Sequence, residues 1–337
     1  MSDSLQAAVL GAGAWGTALA LVLVERGHDV RLWSYESEVA DTVQRTHRNP
    51  YLDGITMPDR LHATSDLISA VEGAQLVVSV SPSQVVRSVM REAAPHLERD
   101  AVVVSASKGI ELGSLRRMDE VLSEELGAQM MEQFCVLSGP SFAHEVAQQA
   151  PTAVVVAGRS QEAAERVQSA FQTPWFRPYT NNDVIGVELG GALKNVIALA
   201  AGMTAGLGYP HNTTAALMTR GLAEMMRLGV ALGARPATFY GLAGMGDLVL
   251  TCTGSLSRNR TVGYRLGQGE SLEEILTDMK AVAEGVKTAS AVRELARRHG
   301  VEMPIAEQVC AIVEEGRSPA EALQALMMRD PKPETWS

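Results

Sequence analysis

The stretch AAVLGAGAWGTALALVLVERG, Ala7 to Gly27, decides the fold. Its first five residues, AAVLG, have the apolar, compact character of a buried strand, and TALALVLVERG has the density of a buried helix. Between them lies a Gly-x-Gly-x-x-Gly turn, Gly11-Ala12-Gly13-Ala14-Trp15-Gly16. Each glycine has a reason. Gly11 permits the tight turn, Gly13 lets a pyrophosphate approach the backbone, and Gly16 lets helix and strand pack closely. The free N–H groups and the dipole at the helix start then hold an anion, so a dinucleotide cofactor is the expected ligand.

Working outward, the second strand is DVRLW, Asp29 to Trp33, whose tip is where an acidic residue would grip the ribose 2'-hydroxyl of NAD. Ser34 and Tyr35 come first here and Glu36 only afterwards, which leaves room for a 2'-phosphate and permits NADP as well as NAD. Arg31, Arg45 and Arg48 are candidate cations for that phosphate. Further strands are expected at QLVVSV (Gln75 to Val80), AVVVSAS (Ala101 to Ser107), FCVLSG (Phe134 to Gly139) and TAVVVAG (Thr152 to Gly158). Amphipathic stretches such as SQVVRSVMREAAPHL separate them, so the class is α/β, with a mostly parallel sheet covered by helices on both faces. After Asn181 the strand signal fades into helices and glycine turns. That shift places a dinucleotide-binding domain at 1–181 and a helical domain at 182–337.

Composition narrows the function. Of 337 residues, 46% are hydrophobic and 20% charged, as in a globular protein rather than a disordered one. A net charge of -10 without any Lys/Arg-rich stretch excludes a nucleic-acid surface. Cys135, Cys252 and Cys310 are odd in number and scattered, which fits neither a disulfide framework nor a zinc site. The start, MSDSLQ, lacks the order of a signal peptide, and a cytoplasmic protein is expected. The apolar run Val184 to Met203 approaches membrane length, but it contains Glu188, Lys194 and Asn195. Each mid-span charge would cost roughly 2.5 to 3.5 kcal/mol in hydrocarbon, so the run reads as a core helix without membrane insertion.

That helix holds the segment GGALKN, Gly190 to Asn195. On a helix Lys194 leans over Gly190 and Gly191, and Ala198 and Ala201 continue the small face. The two glycines cost roughly 2 kcal/mol in helix propensity, so another backbone, a cofactor ring or a substrate must come close. In a closed site beside a second cation, the Lys194 pKa would fall from about 10.4 toward neutrality, and the group could exchange protons. Other stretches look unlike packing material. SASKGIE places Lys108 at the carboxyl edge of a strand, where α/β proteins bind ligands, and LSGPSFAHE places Gly139, Pro140 and Ser141 at that edge too. GLAGMGDLVLTCTGSLSRNR supplies Asp247, Thr251, Ser257, Arg258 and Asn259, and VAEGVKT carries Glu284.

GAGAWGTALA, NPYLDG, SKGIE, SGPSFAHE, VELGGALKNVIALAAG, TRGLAEM, GLAGMGDLVLTCTGSLSRNR, VAEGVKT and VEMPI, in this order, resemble the bacterial NAD(P)-dependent glycerol-3-phosphate dehydrogenases along nearly the whole chain. The resemblance implies a Rossmann N-terminal domain, an all-helical C-terminal domain, an active site between them and a homodimer. It implies reversible reduction of dihydroxyacetone phosphate to sn-glycerol 3-phosphate for phospholipid synthesis. Lys194 would then be the proton carrier, with Lys108 and Asp247 orienting around the carbonyl. Ser257, Arg258 and Asn259 would bind the substrate phosphate, with Gly139 and Ser141 bordering the substrate. On the cofactor side the resemblance carries over Gly11, Gly13, Ala14, Trp15, Gly16, Tyr35, Tyr51, Lys108, Ala143, Arg258, Val282 and Glu284.

Three residues depart from the family pattern. Ala14 stands where serine is frequent, Tyr35 where a cation is frequent, which weakens the NADPH preference, and Asp53 where proline is frequent. A related hydroxyacid dehydrogenase acting on a carboxylate is the nearest alternative, but that family separates its catalytic Lys and Asn by a helical turn. Here Lys194 and Asn195 are adjacent. A non-catalytic dinucleotide-binding regulator would have no need of Lys108, Lys194, Asp247 and Arg258 together.

Overall fold

Runs of β-branched and small apolar residues make strands whose two faces can both be buried, and the sheet uses them that way. The computed structural model describes residues 4–279 and 283–334. Eight strands form one sheet: β1 (Gln6–Leu10), β2 (Asp29–Trp33), β3 (Leu61–Thr64), β4 (Leu76–Ser79), β5 (Val102–Ser105), β6 (Phe134–Ser138), β7 (Thr152–Gly158) and β8 (Phe176–Asn181). Their order is β3-β2-β1-β4-β5-β6-β7-β8. All neighbours are parallel except β6 and β7. Ala7 and Val9 of β1, Leu76 and Val78 of β4, and Val102 and Val104 of β5 enter one core cluster. Ala8, Leu10, Val77 and Val103 enter another, as the two-residue strand period requires.

The six strands expected from sequence are all present. The two that sequence did not indicate, β3 and β8, are the two edges of the sheet. An edge strand has only one neighbour and needs no continuous apolar run. β3 is LHAT, and β8, FRPYTN, carries Pro178, whose missing N–H is tolerated at an edge.

Packing divides the chain into two units, Met1–Ala192 with Gly229–Asp247, and Leu193–Leu228 with Leu248–Ser337. The change of composition at Asn181 marks the end of β8, whereas the packing division falls later, inside a helix. The helices that matter below are α1 (Ala14–Glu25), α2 (Met118–Met131), α3 (Val184–Gly206), α4 (His211–Ala231), α5 (Asp247–Thr253), α6 (Arg258–Gly267), α7 (Glu284–His299) and α8 (Pro304–Glu315). By length and composition α3 could cross a membrane, but 94% of its apolar window is buried inside the protein, as in a core helix.

In the second unit α3 and α6 meet backbone to backbone. At Gly202 and Gly206 the place a Cβ would take is filled by the carbonyls of Arg260 and Tyr264; at Gly263 and Gly267 it is filled by those of Leu199 and Met203. Each pair is four residues apart and so shares one helix face. Glu224 of α4 is buried and accepts hydrogen bonds from the N–H groups of Ile305 (2.8 Å) and Ala306 (3.2 Å), capping the start of α8. Burial nevertheless outweighs those two bonds and raises its pKa to about 7.

Candidate active site

The glycine turn is built as its spacing demands. Gly11 has φ of 137°, a conformation that disfavours any side chain, and a Cβ there would lie 3.0 Å from the Val80 carbonyl. A Cβ on Gly16 would overlap the Gly11 carbonyl oxygen, so the third glycine is fixed by the first. At Gly13, by contrast, a Cβ would meet nothing within 4 Å. Gly13 is the N-cap of α1 and offers no side-chain cap, which leaves the first N–H groups of α1 to an outside acceptor. Ala14 and Trp15 form the first turn of that helix. Trp15 packs against the same core cluster as Ala143, the first residue of the short helix Ala143–Ala147.

The tip of β2 is joined to this turn through the NPYLDG loop. Asn49 donates from Nδ2 to the Ala12 carbonyl and to Thr17 Oγ1, both at 2.8 Å, while its Oδ1 accepts from Tyr51 N. The Tyr51 hydroxyl then donates to Glu36 Oε1 at 2.9 Å, and that bond holds its pKa above the usual phenol value. Tyr35 projects into solvent, 85% exposed, with its ring edge-on to Trp33. Arg31 faces another way with one of its nitrogens, Nη1 donating to the carbonyls of Ser69 and Glu72 at 2.7 Å each. Arg45 and Arg48 are exposed. Sequence reading named the NPYLDG loop but not the role of Asn49, which needs two partners, Ala12 and Thr17, brought from elsewhere.

Lys108 stands just beyond β5. Its Nζ donates to Asp247 Oδ2 at 2.7 Å and reaches the Gly139 carbonyl at 3.4 Å, and Asp247 is only 2% exposed. Ser141 Oγ donates to that same carbonyl at 3.0 Å, so Lys108, Gly139, Ser141 and Asp247 are brought together as expected. Gly139 has φ of 135° and a Cβ there would press on the Val154 Cα at 3.0 Å. The loop after Lys108 is held by Gln84, which donates to the Ile110 carbonyl (2.8 Å) and accepts from Leu112 N (2.9 Å). Arg87 grips Glu111 between them with two bonds of 2.8 Å, which hold that carboxyl below its ordinary pKa.

The two glycines before Lys194 are filled by protein, not by a vacancy awaiting ligand. A Cβ on Gly190 would overlap the Ala243 carbonyl of the π-helical turn Leu242–Gly246 that leads into Asp247. A Cβ on Gly191 would lie 2.8 Å from Ser138 Oγ and 3.5 Å from the Lys108 Cγ. Close approach was the correct inference; what approaches is a backbone turn and the stem of the other lysine. π-Helical turns recur at functional sites, and this one delivers Asp247 to Lys108.

Lys194 lies in the second unit, 6% exposed, and donates from Nζ to Thr251 Oγ1 at 2.6 Å. Asn195 accepts from Asn259 Nδ2 at 3.0 Å, and Asn259 Oδ1 accepts from Gly285 N at 2.9 Å, which ties the starts of α6 and α7 to α3. Gly285 fits only as glycine, because a Cβ would lie 2.6 Å from the Asn195 carbonyl oxygen. Ser257 is the N-cap of α6 and accepts from Arg260 N at 3.2 Å. The exposed Arg258 has no hydrogen-bond or ion-pair partner among the described residues. The start of α6 thus offers a cation and helix N–H groups, the elements of an anion site. Glu284 opens α7 beside Gly285, whereas Val282 lies outside the described residues. Asn195 and Thr251 are the polar groups whose contacts sequence did not reveal.

Known proteins match both halves of the chain. A family model described as the NAD-dependent glycerol-3-phosphate dehydrogenase N-terminus matches residues 6–164, and the model for the C-terminus matches 183–324. A glycerol-3-phosphate dehydrogenase (NAD(P)+) of Geobacter metallireducens is 57% identical, covering 97% of this chain and 98% of that protein. One from Streptomyces griseus is 50% identical and covers 99% of each. The crystal structure of glycerol-3-phosphate dehydrogenase from Coxiella burnetii superposes with a TM-score of 0.92 at 41% identity, covering 97% of this chain and 99% of that one.

Proposed function

Because the chain belongs to the NAD-dependent glycerol-3-phosphate dehydrogenase family, and so is an oxidoreductase using NAD or NADP, we propose that it interconverts dihydroxyacetone phosphate and sn-glycerol 3-phosphate. The observation that carries the reading is Lys194, an ammonium buried in an apolar helix with its Nζ aimed by Thr251. In reduction Lys194 gives its proton to the oxygen that becomes the new hydroxyl; in oxidation it takes that proton back. Lys108 polarises the carbonyl, and Asp247 fixes where the Lys108 ammonium points. Arg258 and the N–H groups at the start of α6 bind the substrate phosphate, with Ser257 and Asn259 shaping that end and Gly139 and Ser141 bordering the substrate.

The glycine turn fits a dinucleotide, since the open face at Gly13 and the uncapped start of α1 form a cradle that a Cβ would fill. When bound there, the nicotinamide supplies or accepts the hydride. Gly11, Gly13, Ala14, Trp15 and Gly16 would hold its pyrophosphate, with Tyr35, Tyr51, Lys108, Ala143, Arg258, Val282 and Glu284 along the rest. Tyr35 brings no charge to the β2 tip, so NADH and NADPH are both accepted. The reaction feeds phospholipid synthesis in the cytoplasm, and the protein acts as a homodimer without membrane insertion. The test is a dihydroxyacetone phosphate reduction assay with NADH and NADPH in parallel. Turnover of a 3-hydroxyacid with none of glycerol 3-phosphate would sink the reading.

A further inference from the structure

Within the first unit, away from the residues assigned above, two buried carboxyls, Glu188 and Asp119, meet the largely buried Arg117 and the exposed Arg159. Glu188 of α3 accepts from Asp119 N at 2.9 Å through Oε1, while its other oxygen is buried with no hydrogen-bond partner. Asp119, in the first turn of α2, is 2% exposed and bound by Arg117 through Nε (3.0 Å) and Nη2 (3.3 Å). Arg159 stands 3.7 Å from Asp119, and Arg117 Nε is 3.8 Å from Glu188 Oε2. One carboxylate thus takes most of the available positive charge. The other, Glu188, is left with a single backbone donor and a like-charged neighbour, a setting that disfavours its ionised form. Burial, then Asp119, raises the Glu188 pKa well above its ordinary value against the opposing pull of Arg117.

The position of this carboxyl matters because of what lies on either side of it. Asp119 follows directly on the loop that begins at Lys108, whose near end is clamped by Gln84 and Arg87. The helical turn from Glu188 to Gly191 ends where the bare face of Gly191 lies beside the Lys108 methylenes and Ser138 Oγ, which a Cβ there would meet. We propose that Glu188 is a positioning residue for Lys108: by docking α3 on the start of α2 it fixes the turn on which the lysine stem rests. With Glu188 in place, the Lys108 ammonium reaches Asp247 and the Gly139 carbonyl. Without it, the Gly191 turn shifts relative to the loop and the ammonium leaves that register. A displacement of an ångström in a positioned group is enough to lower turnover by roughly a hundredfold.

The inference rests on the role given to Lys108, so the test is a double-mutant cycle on dihydroxyacetone phosphate reduction: E188A, K108A, the double variant, and E188Q. E188A should lower kcat/KM for dihydroxyacetone phosphate roughly ten- to a hundredfold. In the K108A background the same change should cost no more than about twofold, because its effect passes through the lysine. E188Q, matching the shape and charge of a neutral acid, should stay within about threefold of the unmodified protein. Should E188A fail to fold, E188D, which withdraws the carboxyl by one methylene, takes its place in the cycle. Equal losses from E188A with and without Lys108, or an E188Q as damaged as E188A, would overturn the inference while leaving Lys108 in its role. Near-normal kinetics of K108A would remove Lys108 from the site and the inference with it.

Discussion

The two halves of α3 use the same device for different ends. In Val184–Ala192 the glycines at 190 and 191 admit the Ala243 carbonyl, Ser138 Oγ and the Lys108 stem; beyond Leu193 the glycines at 202 and 206 admit the carbonyls of α6. The first half accommodates groups that belong to the candidate site, and the second joins helix to helix. A glycine inside an apolar helix therefore reports that something comes close without saying what. The chemistry of the arriving group separates scaffold from site.

The sharpest way to test that separation is Lys194→Ala, placed between the two glycine pairs. Turnover should fall by roughly 10² to 10⁴, the usual contribution of a proton donor, with NADH affinity and thermal midpoint close to unchanged. Near-normal turnover would refute its role. Next comes Gly202→Leu, which forces an isobutyl group into the space of the Arg260 carbonyl and should cost at least about 3 kcal/mol in denaturant unfolding. Full stability would mean the α3 and α6 backbones are not in contact.

A smaller effect is expected from Glu224, the buried acid of the second unit. Its folded pKa of about 7 stands above the 4.5 of the free side chain, so the folded state keeps a proton that the unfolded chain releases. The protein should lose stability as pH rises from 4.5 to about 7, by up to ~3 kcal/mol, and the loss should level off above that. Glu224→Gln should remove this component; if the stability difference between the two proteins does not change with pH, the acid is not strained by burial. Smallest is Gly190→Ala in the first half, where the added methyl overlaps the Ala243 carbonyl and the backbone of that turn must move aside. A cost of roughly 1 to 2 kcal/mol with a measurable drop in kcat/KM is expected, since that turn carries Asp247. Loss of stability alone, with kinetics intact, would place Gly190 in the scaffold beside Gly202.

These contrasts also mark what a sequence can disclose. Five of the six interior strands were legible because burial on both faces leaves an apolar run, and β2, DVRLW, through its alternating buried positions, whereas β3 and β8, with one neighbour each, leave neither signal as clearly. The glycine turn was legible residue by residue, since Gly11 and Gly16 touch one another within six positions. Lys194 was visible as an anomaly, but Thr251, 57 residues away, could not be matched to it without a fold. Asn49 was hidden in the same way. Its partners Ala12 and Thr17 belong to the glycine turn, and nothing in NPYLDG points there.

The first packed unit includes Gly229–Asp247 and so is not a continuous piece of chain. On the ribosome, all eight strands can emerge and pair while the π turn that fills Gly190 and the carboxylate that receives Lys108 are still unmade. A nascent sheet therefore waits, with a groove over Gly190 and an unpaired ammonium, for a segment synthesised after the strands are complete. Fragments cut after Ala192 inherit that unfinished state, however well their strands pair.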